Sequence, residues 1–556
     1  MRFLLSEYIS LLKEDGELDT LITDLLVGMK ITPLSKPEKG RQHGVDIAAV
    51  GIDPADNIKK VFLIAVKQGN LTRSNWDSGV NSVRPTLNEI KDTYLNVILD
   101  KKLKELPKKI VVCTNGEIVQ NVQINWSSYI NENSEDNLEY TFWGIGKISE
   151  MLDVYLDNEK LFPLEYQSNL RKTLAFLDLP DYDLSHFYEL IGKILQKEEK
   201  QKQKILRQQR LVRLCLNIIY KWSEEIDNLK PALLASERCM LLSWDWLQKG
   251  KHLDKKFARS EFYKLHSLKR TIGINYFNKV NTHYTTPHSL YKYSKNNLEY
   301  TFSVWEEIGF LSTIGLTEIQ EFQIHHREGN KEHAKTYLRG AYSIANALSA
   351  LILQNPPSSY PVYDEFNIEV ALALNFLIKM GNTDVAKTWI NNLGVGIHDN
   401  FVLNGFFPLF LTNFDKLVDV ENGDDVCDID SSMLLTILIE YSVVLNEAPL
   451  YNALREIIKD QFPNLNLQIW FATEETEYLF CRKNYDRDTG TVKHSIEVYE
   501  KMEDYHSELI EEIELFGPEN KFSIFTEGFD IMGHLASRHY RAQPFPIYWR
   551  SLIKSK

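Results

Sequence analysis

Cysteine is scarce in this chain. Five are scattered through 556 residues, at Cys113, Cys215, Cys239, Cys427 and Cys481, and no two stand in C-x-x-C spacing. That excludes a zinc knuckle and a disulfide framework, and it fits a reducing, cytoplasmic compartment. No apolar run approaches the roughly 20 residues of a membrane helix, so no membrane association is expected. Glu7, Lys13 and Glu14 interrupt the first residues, which therefore lack a signal-peptide core. No G-x-x-x-x-G-K-[ST] occurs, so nothing argues for an internal ATP motor. Positive charge is in deficit, the net value being −14, so the whole molecule is not a basic nucleic-acid coat. A local basic surface would still suffice for phosphate contact.

What is present is a long, ordinary globular composition. The length points to about two to four domains. The first ~155 residues alternate helix and strand signals, an α/β pattern. Leu18, Leu21, Ile22, Leu25, Leu26 and Met29 recur at helical spacing, and Pro33 and Pro37 end that run. Val45 to Val50 reads as a strand, Gly51 to Asn57 as a turn, and Val61 to Lys67 as a buried strand. Pro85 is placed to open a helix with Leu87, Ile90, Tyr94, Val97 and Ile98 as its apolar stripe. Ile110 to Cys113 and Leu138 to Trp143 read as further strands, and Ile148 to Tyr155 as a helix.

The pattern then changes. Tyr188 to Trp222 reads as one long helix with a basic middle: Lys193, Lys197, Lys200, Lys202, Lys204, Arg207, Arg210 and Arg213. It is either a solvated connector or a phosphate-contacting arm. Beyond it, Val370 to Leu377 and Val385 to Leu393 flank Met380-Gly381-Asn382, and Met433 to Leu445 precedes Tyr451 to Ile458. Each reads as helix, tight turn, helix, suggesting a tetratricopeptide-like array without a fixed period. The expected organisation is 1–155, an α/β domain; 156–230, a helical connector; and 231–556, an all-α sensing or assembly region.

The chemistry sits near the start. Gly44-Val45-Asp46-Ile47 begins one strand, and the strand Val61-Phe62-Leu63-Ile64-Ala65-Val66-Lys67 ends in lysine. A carboxylate and a lysine at the ends of neighbouring strands form the skeleton of a divalent-metal phosphodiesterase site. The carboxylate holds a hard cation, and the lysine stabilises charge or orients the attacking water. An acid or amide normally stands two residues before the lysine, but here the residue is Ala65.

Leu18-Asp19-Thr20-Leu21-Ile22-Thr23-Asp24-Leu25-Leu26, the G-V-D-I strand and the apolar strand ending in lysine follow one another as in Mrr-type restriction endonucleases. The first ~155 residues thus resemble the PD-(D/E)xK nuclease superfamily and, within it, effector nucleases of prokaryotic anti-phage systems. The resemblance implies a restriction-endonuclease-like fold, Mg²⁺ (or Mn²⁺) as cofactor and DNA as substrate. It also implies partner proteins from a defence operon, and a homo-oligomer is compatible with it. Asp46 takes the metal-binding aspartate position, Lys67 the catalytic lysine, and Asp19 the acid of the first helix. The Val66 carbonyl takes the position of a backbone ligand. Ala65 departs from the pattern, and Gln68 would substitute if the strand bulged after Lys67.

Bland readings stand beside these. Asp46, following Gly44, also reads as a turn cap, and His43 reads as a solvent-facing loop histidine or as a phosphate contact. Arg73 and Arg84 are phosphate clamps or surface charges. Trp76 and Asp77 read as structural. His325, His326, Glu328, Glu332 and His333 lack metal-ligand spacing. Glu474, Glu475 and Glu477 read as a solvated edge. The basic, aromatic C-terminus, Arg538 through Arg550, either touches nucleic acid or packs as a terminal element. Three functions compete: an endonuclease, a catalytically decayed nuclease fold that binds nucleic acid or protein, and a helical interaction scaffold.

Overall fold

Nine consecutive residues, Lys59–Lys67, form the central strand of the N-terminal sheet, and all but the two ends are buried. A computed structural model describes the chain except residues 1, 35–42, 80–81, 156–161, 163, 178, 180, 197–198, 426, 428, 483–489, 516–520 and 554–556. Pro37 and Lys197 lie outside the described residues. The chain divides into two units, Met1–Pro231 and Ala232–Lys556. Residues 156–230 therefore belong to the first unit.

The first unit holds five strands: β1 (Thr32–Pro33), β2 (Ile47–Ile52), β3 (Lys59–Lys67), β4 (Lys108–Thr114) and β5 (Leu138–Trp143), side by side in chain order. β1–β2 and β2–β3 are antiparallel, with Ile47 opposite Ile64. β3–β4 and β4–β5 are parallel, with Ile64 beside Val111 and Ile110 beside Tyr140. Parallel strands are buried on both faces, which is why β3 and β4 read as continuous apolar runs. Its helices are α1 (Arg2–Ile9), α2 (Asp19–Gly28), α3 (Arg73–Asp77), α4 (Val83–Glu89), α5 (Gln120–Asn133), α6 (Ile145–Tyr155), α7 (Leu164–Leu177), α8 (Ser185–Ile194) and α9 (Lys202–Glu225). Leu63, Ala65, Ile110 and Val112 pack in one core with Val83 and Leu87 of α4 and Val122, Trp126 and Tyr129 of α5. Trp76 packs edge-on to Trp126 and Tyr129, so it is structural. Each such large side chain contributes about 1.5–3 kcal/mol by burial.

Several expectations shift. The strand expected over Val45 to Val50 runs Ile47–Ile52. After α4 the chain continues as a π-helical stretch, Ile90–Ile98. Its wider turn breaks the 3.6-residue stripe, leaving Val97 76% and Ile98 43% exposed. The long helix expected over Tyr188 to Trp222 is two helices, α8 and α9. Residues 196–204 contain no apolar side chain, so nothing holds a helix through the break. Of the basic residues, Lys193, Lys200, Lys202 and Lys204 are exposed, Arg207 and Arg210 are half-buried and Arg213 is buried; Lys193 donates to Asn169 and Lys204 pairs with Glu199.

The second unit is helical: α10 (Lys230–Lys249), α11 (Lys256–Tyr284), α12 (Asn297–Arg327), α13 (Lys331–Gln354), α14 (Asn367–Lys379), α15 (Thr383–Asn404), α16 (Phe414–Asn422), α17 (Leu434–Val444), α18 (Ala448–Gln461), α19 (Thr476–Leu479), α20 (Met502–Leu515), α21 (Ser523–Thr526), α22 (Ile531–Tyr540) and α23 (Ile547–Arg550). The pairs α14–α15 and α17–α18 are hairpins with left-handed turn residues Gly381 and Asn446. Two short sheets, β6 (Ser431–Ser432) with β7 (Asn466–Leu467) and β8 (Ile469–Ala472) with β9 (Gly490–Lys493), add to the helices. The buried Asp364 carboxylate caps α17, accepting from the amides of Met433 (2.9 Å) and Leu434 (3.2 Å).

The C-terminal basic residues are packed. Arg550 bonds Glu440 and Glu512, Trp549 donates to Glu440, Arg538 pairs with Glu237, and Arg541 pairs with Glu369. Glu474 and Glu475 are exposed, but Glu477 is not part of a solvated edge. Its Oε1 accepts from the Ser523 amide (2.9 Å) and hydroxyl (2.6 Å) and from Gln248 (2.6 Å). Burial raises its carboxyl above the usual range. Among the described residues, no helix is long and apolar enough to cross a membrane.

Candidate active site

β3 places alternate residues on one face, and the row Val61, Leu63, Ala65 lies in the apolar core. Lys67 is the next in that row, where the core gives way to an open cleft of about 500 Å³. Glu14, Lys67, Gln68, Asn70, Ser74, Asn75, Ser78, Ser82 and Thr114 are among its lining residues. The strand ends at Lys67, and Gln68 reaches the cleft without a bulge.

Asp46 enters just before β2. Gly44, at φ +82°, sets up that approach, and a Cβ there would come within 2.8 Å of the Thr86 carbonyl on α4. The Asp46 amide donates to Ile64 O (2.9 Å), and its Oδ2 accepts from the Val66 amide (2.7 Å). A strand residue's amide and carbonyl leave the same edge, so the Val66 carbonyl also faces the Asp46 side. Burial raises the Asp46 carboxyl above its ordinary range. The charges of Glu14 and Asp19 add to that rise, and Lys67 and the Val66 amide oppose it. The charges of Lys67, Glu14 and Asp19 thus all act on Asp46.

Asp19 begins α2 and is 8% exposed. Its Oδ1 accepts from the Thr20 amide at 2.6 Å. Glu14 was not singled out from the sequence, yet its carboxylate faces Lys67 Nζ at 3.5 Å. It sits in a π-helical turn, Glu14–Leu18, inside a charged stretch that reads as solvated. The remaining candidates lie further out. His43 Nδ1 is 3.2 Å from Glu89 Oε1. Arg84 donates to Asp77 Oδ2 at 3.0 Å with both side chains about half exposed, and Arg73 is exposed at the start of α3.

Asn115 and Gly116 directly follow β4. The Asn115 side chain accepts from the Gly69 amide (2.6 Å) and donates to Leu12 O (2.8 Å). It ties the segment after Lys67 to the segment before Glu14. Asn70 Oδ1 accepts the Glu117 amide (2.9 Å), and Leu71 and Glu117 bond through their backbones (3.0 Å). At Gly116 a Cβ would lie 2.5 Å from Asn70 N and Gly69 C, so the loops leaving β3 and β4 touch backbone to backbone.

Two places deserve a metal test by chemistry. Asp53, Asp56 and Glu139 bring three carboxylate oxygens within 4.8 Å of one another, and they are the one such group among the described residues. Lysines already fill it. Lys60 bonds Asp53, Asp56 and Glu139, and Lys109 bonds Asp53 (2.8 Å) and Glu139 (2.9 Å). Burial opposes the Asp53 charge, but bonds from Lys109, the Ala55 amide and Lys60 hold its carboxyl below the usual range. This is an ion-pair network and does not fit a cation. The cleft itself is lined by one carboxylate, Glu14, and one lysine, Lys67, and Asp46 is a desolvated hard-oxygen donor that feels the like charges of Glu14 and Asp19. That donor set fits a water-rich Mg²⁺ or Mn²⁺ site, which needs one or two protein carboxylates. Ala65 supplies no ligand.

The chain matches no protein-family model, no curated protein and no solved structure.

Proposed function

We propose that the first unit is a divalent-metal-dependent DNA endonuclease of the restriction-endonuclease-like type. The reading rests on one arrangement: Asp46 accepts the Val66 amide at the end of β3, and Lys67, the next residue of that strand, lines an open cleft. Asp46, Glu14 and the Val66 carbonyl would hold the cation, with Asp19 behind them. A bound Mg²⁺ supplies Lewis acidity and lowers the pKa of water. Lys67 holds the phosphate oxygen or orients the attacking water. Gln68 and Arg73 contact the flanking backbone. The helical unit is proposed as the sensing or assembly region. A role in anti-phage defence with operon partners rests on the resemblance alone.

A second reading has its own observation. Lys67 is paired with Glu14, and Ala65 lies within the apolar core. A decayed site that only binds nucleic acid would look the same. The test is incubation of the purified protein with plasmid and phage DNA in Mg²⁺, Mn²⁺ or EDTA. The endonuclease reading expects metal-dependent cleavage, lost in Asp46→Ala and Lys67→Ala. Metal-independent DNA retention without cleavage, unchanged in Asp46→Ala, would replace it with the binding module.

A further inference from the structure

The turn that carries Glu14 carries a second carboxylate with a different partner. Glu17 Oε1 bonds Arg207 Nη1 of α9 at 2.6 Å, and its Oε2 accepts the Lys13 amide at 2.9 Å. One carboxylate therefore links α9 to the backbone immediately before Glu14. The turn is closed by wide bonds, Leu18 N to Lys13 O (2.9 Å) and Asp19 N to Glu14 O. Such π-turns are rare and recur at functional sites. On the other side Asn115 holds Leu12. The segment is thus clasped between α9 and the loop after β4.

We propose that Arg207 is a positioning residue: through Glu17 it sets the place of Glu14 at the cleft, so that α9 controls the cation site. The inference rests on the metal-site reading above. Three observations carry it. The Arg207–Glu17 pair is about one-quarter exposed, so solvent screens it less than a surface pair. Glu14 and Glu17 share one turn, so a shift of one moves the other. α9 is also the last helix wholly inside the first unit, ending at Glu225 before the division at Pro231. A displacement of α9 is therefore delivered to the turn bearing Glu14, and from there to Lys67.

The experiment uses the full chain. Glu17→Ala, Arg207→Ala, the double variant and Arg207→Lys are compared with wild type in two assays. One is Mn²⁺ binding by calorimetry. The other is amide hydrogen exchange over residues 10–20 and 66–70. Each alanine variant should weaken Mn²⁺ binding about tenfold and speed exchange around Glu14. The double should lose less than the sum of the two singles, because both remove the Arg207–Glu17 bond, although Glu17→Ala also loses the Lys13 amide contact and Arg207→Ala the Tyr8 hydroxyl contact. Arg207→Lys, which keeps the charge, should recover most of both. Additive losses in the double variant, or unchanged exchange around Glu14 in both singles, would overturn the inference. If wild type binds no Mn²⁺, the metal-site reading falls, and the inference that α9 controls a cation site falls with it. The exchange results then show separately whether Arg207 places Glu14.

Discussion

The side-chain oxygen of Asn115 accepts the Gly69 amide at 2.6 Å while its nitrogen donates to the Leu12 carbonyl at 2.8 Å. One buried amide therefore spaces the two strand exits and the N-terminal segment. Asn115→Asp keeps the acceptor but turns a donor into an oxygen facing the carbonyls of Ile9 and Leu12. The expected cost is about 1–3 kcal/mol for a buried group left unpaired. Urea unfolding should show it, with faster amide exchange near Leu12. Stability equal to wild type would mean that the clasp does not hold.

Ala65 bears on the proposed cation site and on stability together. A glutamate there would add a carboxylate next to Lys67 in the strand row. However, Ala65 is 1% exposed and packed with apolar neighbours. Ala65→Glu should therefore lower stability by roughly 2–4 kcal/mol, as for an unpaired buried polar group. A variant as stable as wild type that cuts faster would show that position 65 opens onto the cleft.

The C-terminus makes a third prediction. Glu440 and Arg550 are almost fully buried and bonded, with Trp549 donating to the same carboxylate. Glu440→Ala leaves Arg550 partly uncompensated and should cost about 3–5 kcal/mol. Thermal unfolding would report it. A change under about 0.5 kcal/mol, the usual size for a surface substitution, would contradict the packed arrangement.

Acid should destabilise the helical unit. His534 and His539 are held well below 6.5, first by burial, then by Lys379 for the former and by Arg538 and Arg238 for the latter. Arg238 donates to His539 Nε2 at 2.9 Å, so that nitrogen carries no proton. The unfolded chain binds more protons below about pH 6.5, so this stability is present above that pH and is lost as pH falls through it. The midpoint of thermal unfolding should drop between pH 7.5 and 5.5. His539→Gln should flatten that drop, and a profile as steep as wild type would assign the sensitivity elsewhere.

The strands and helical hairpins were readable because burial imposes its own period. Leu138 to Trp143 became β5 with the same ends, and Met380-Gly381-Asn382 became a turn. The limit of local reading is visible in one hexapeptide. Asn-Leu-Glu-Tyr-Thr-Phe occurs at 137–142 and 297–302, entering β5 in one copy and opening α12 in the other. Tyr140 and Tyr300 are both buried, so neighbours choose the backbone, aided at α12 by the Asn296 cap on the Glu299 amide. Asp46 stood out because it opens one apolar strand, and Lys67 because it ends the next. Glu14 did not, because its surroundings are polar and its partner, Lys67, is distant in the sequence.

Gly116 leaves no room for a side chain between the loops that leave β3 and β4. The rim of the cleft is therefore inherited as a pair. A lineage that lengthened residues 68–71 would have to remodel 115–117 in the same step, and one that changed either alone would force the strand exits apart. Variation in what the cleft accepts should enter from the α3–α4 side, where Ser74, Asn75, Ser78 and Ser82 line it and side chains can be exchanged singly.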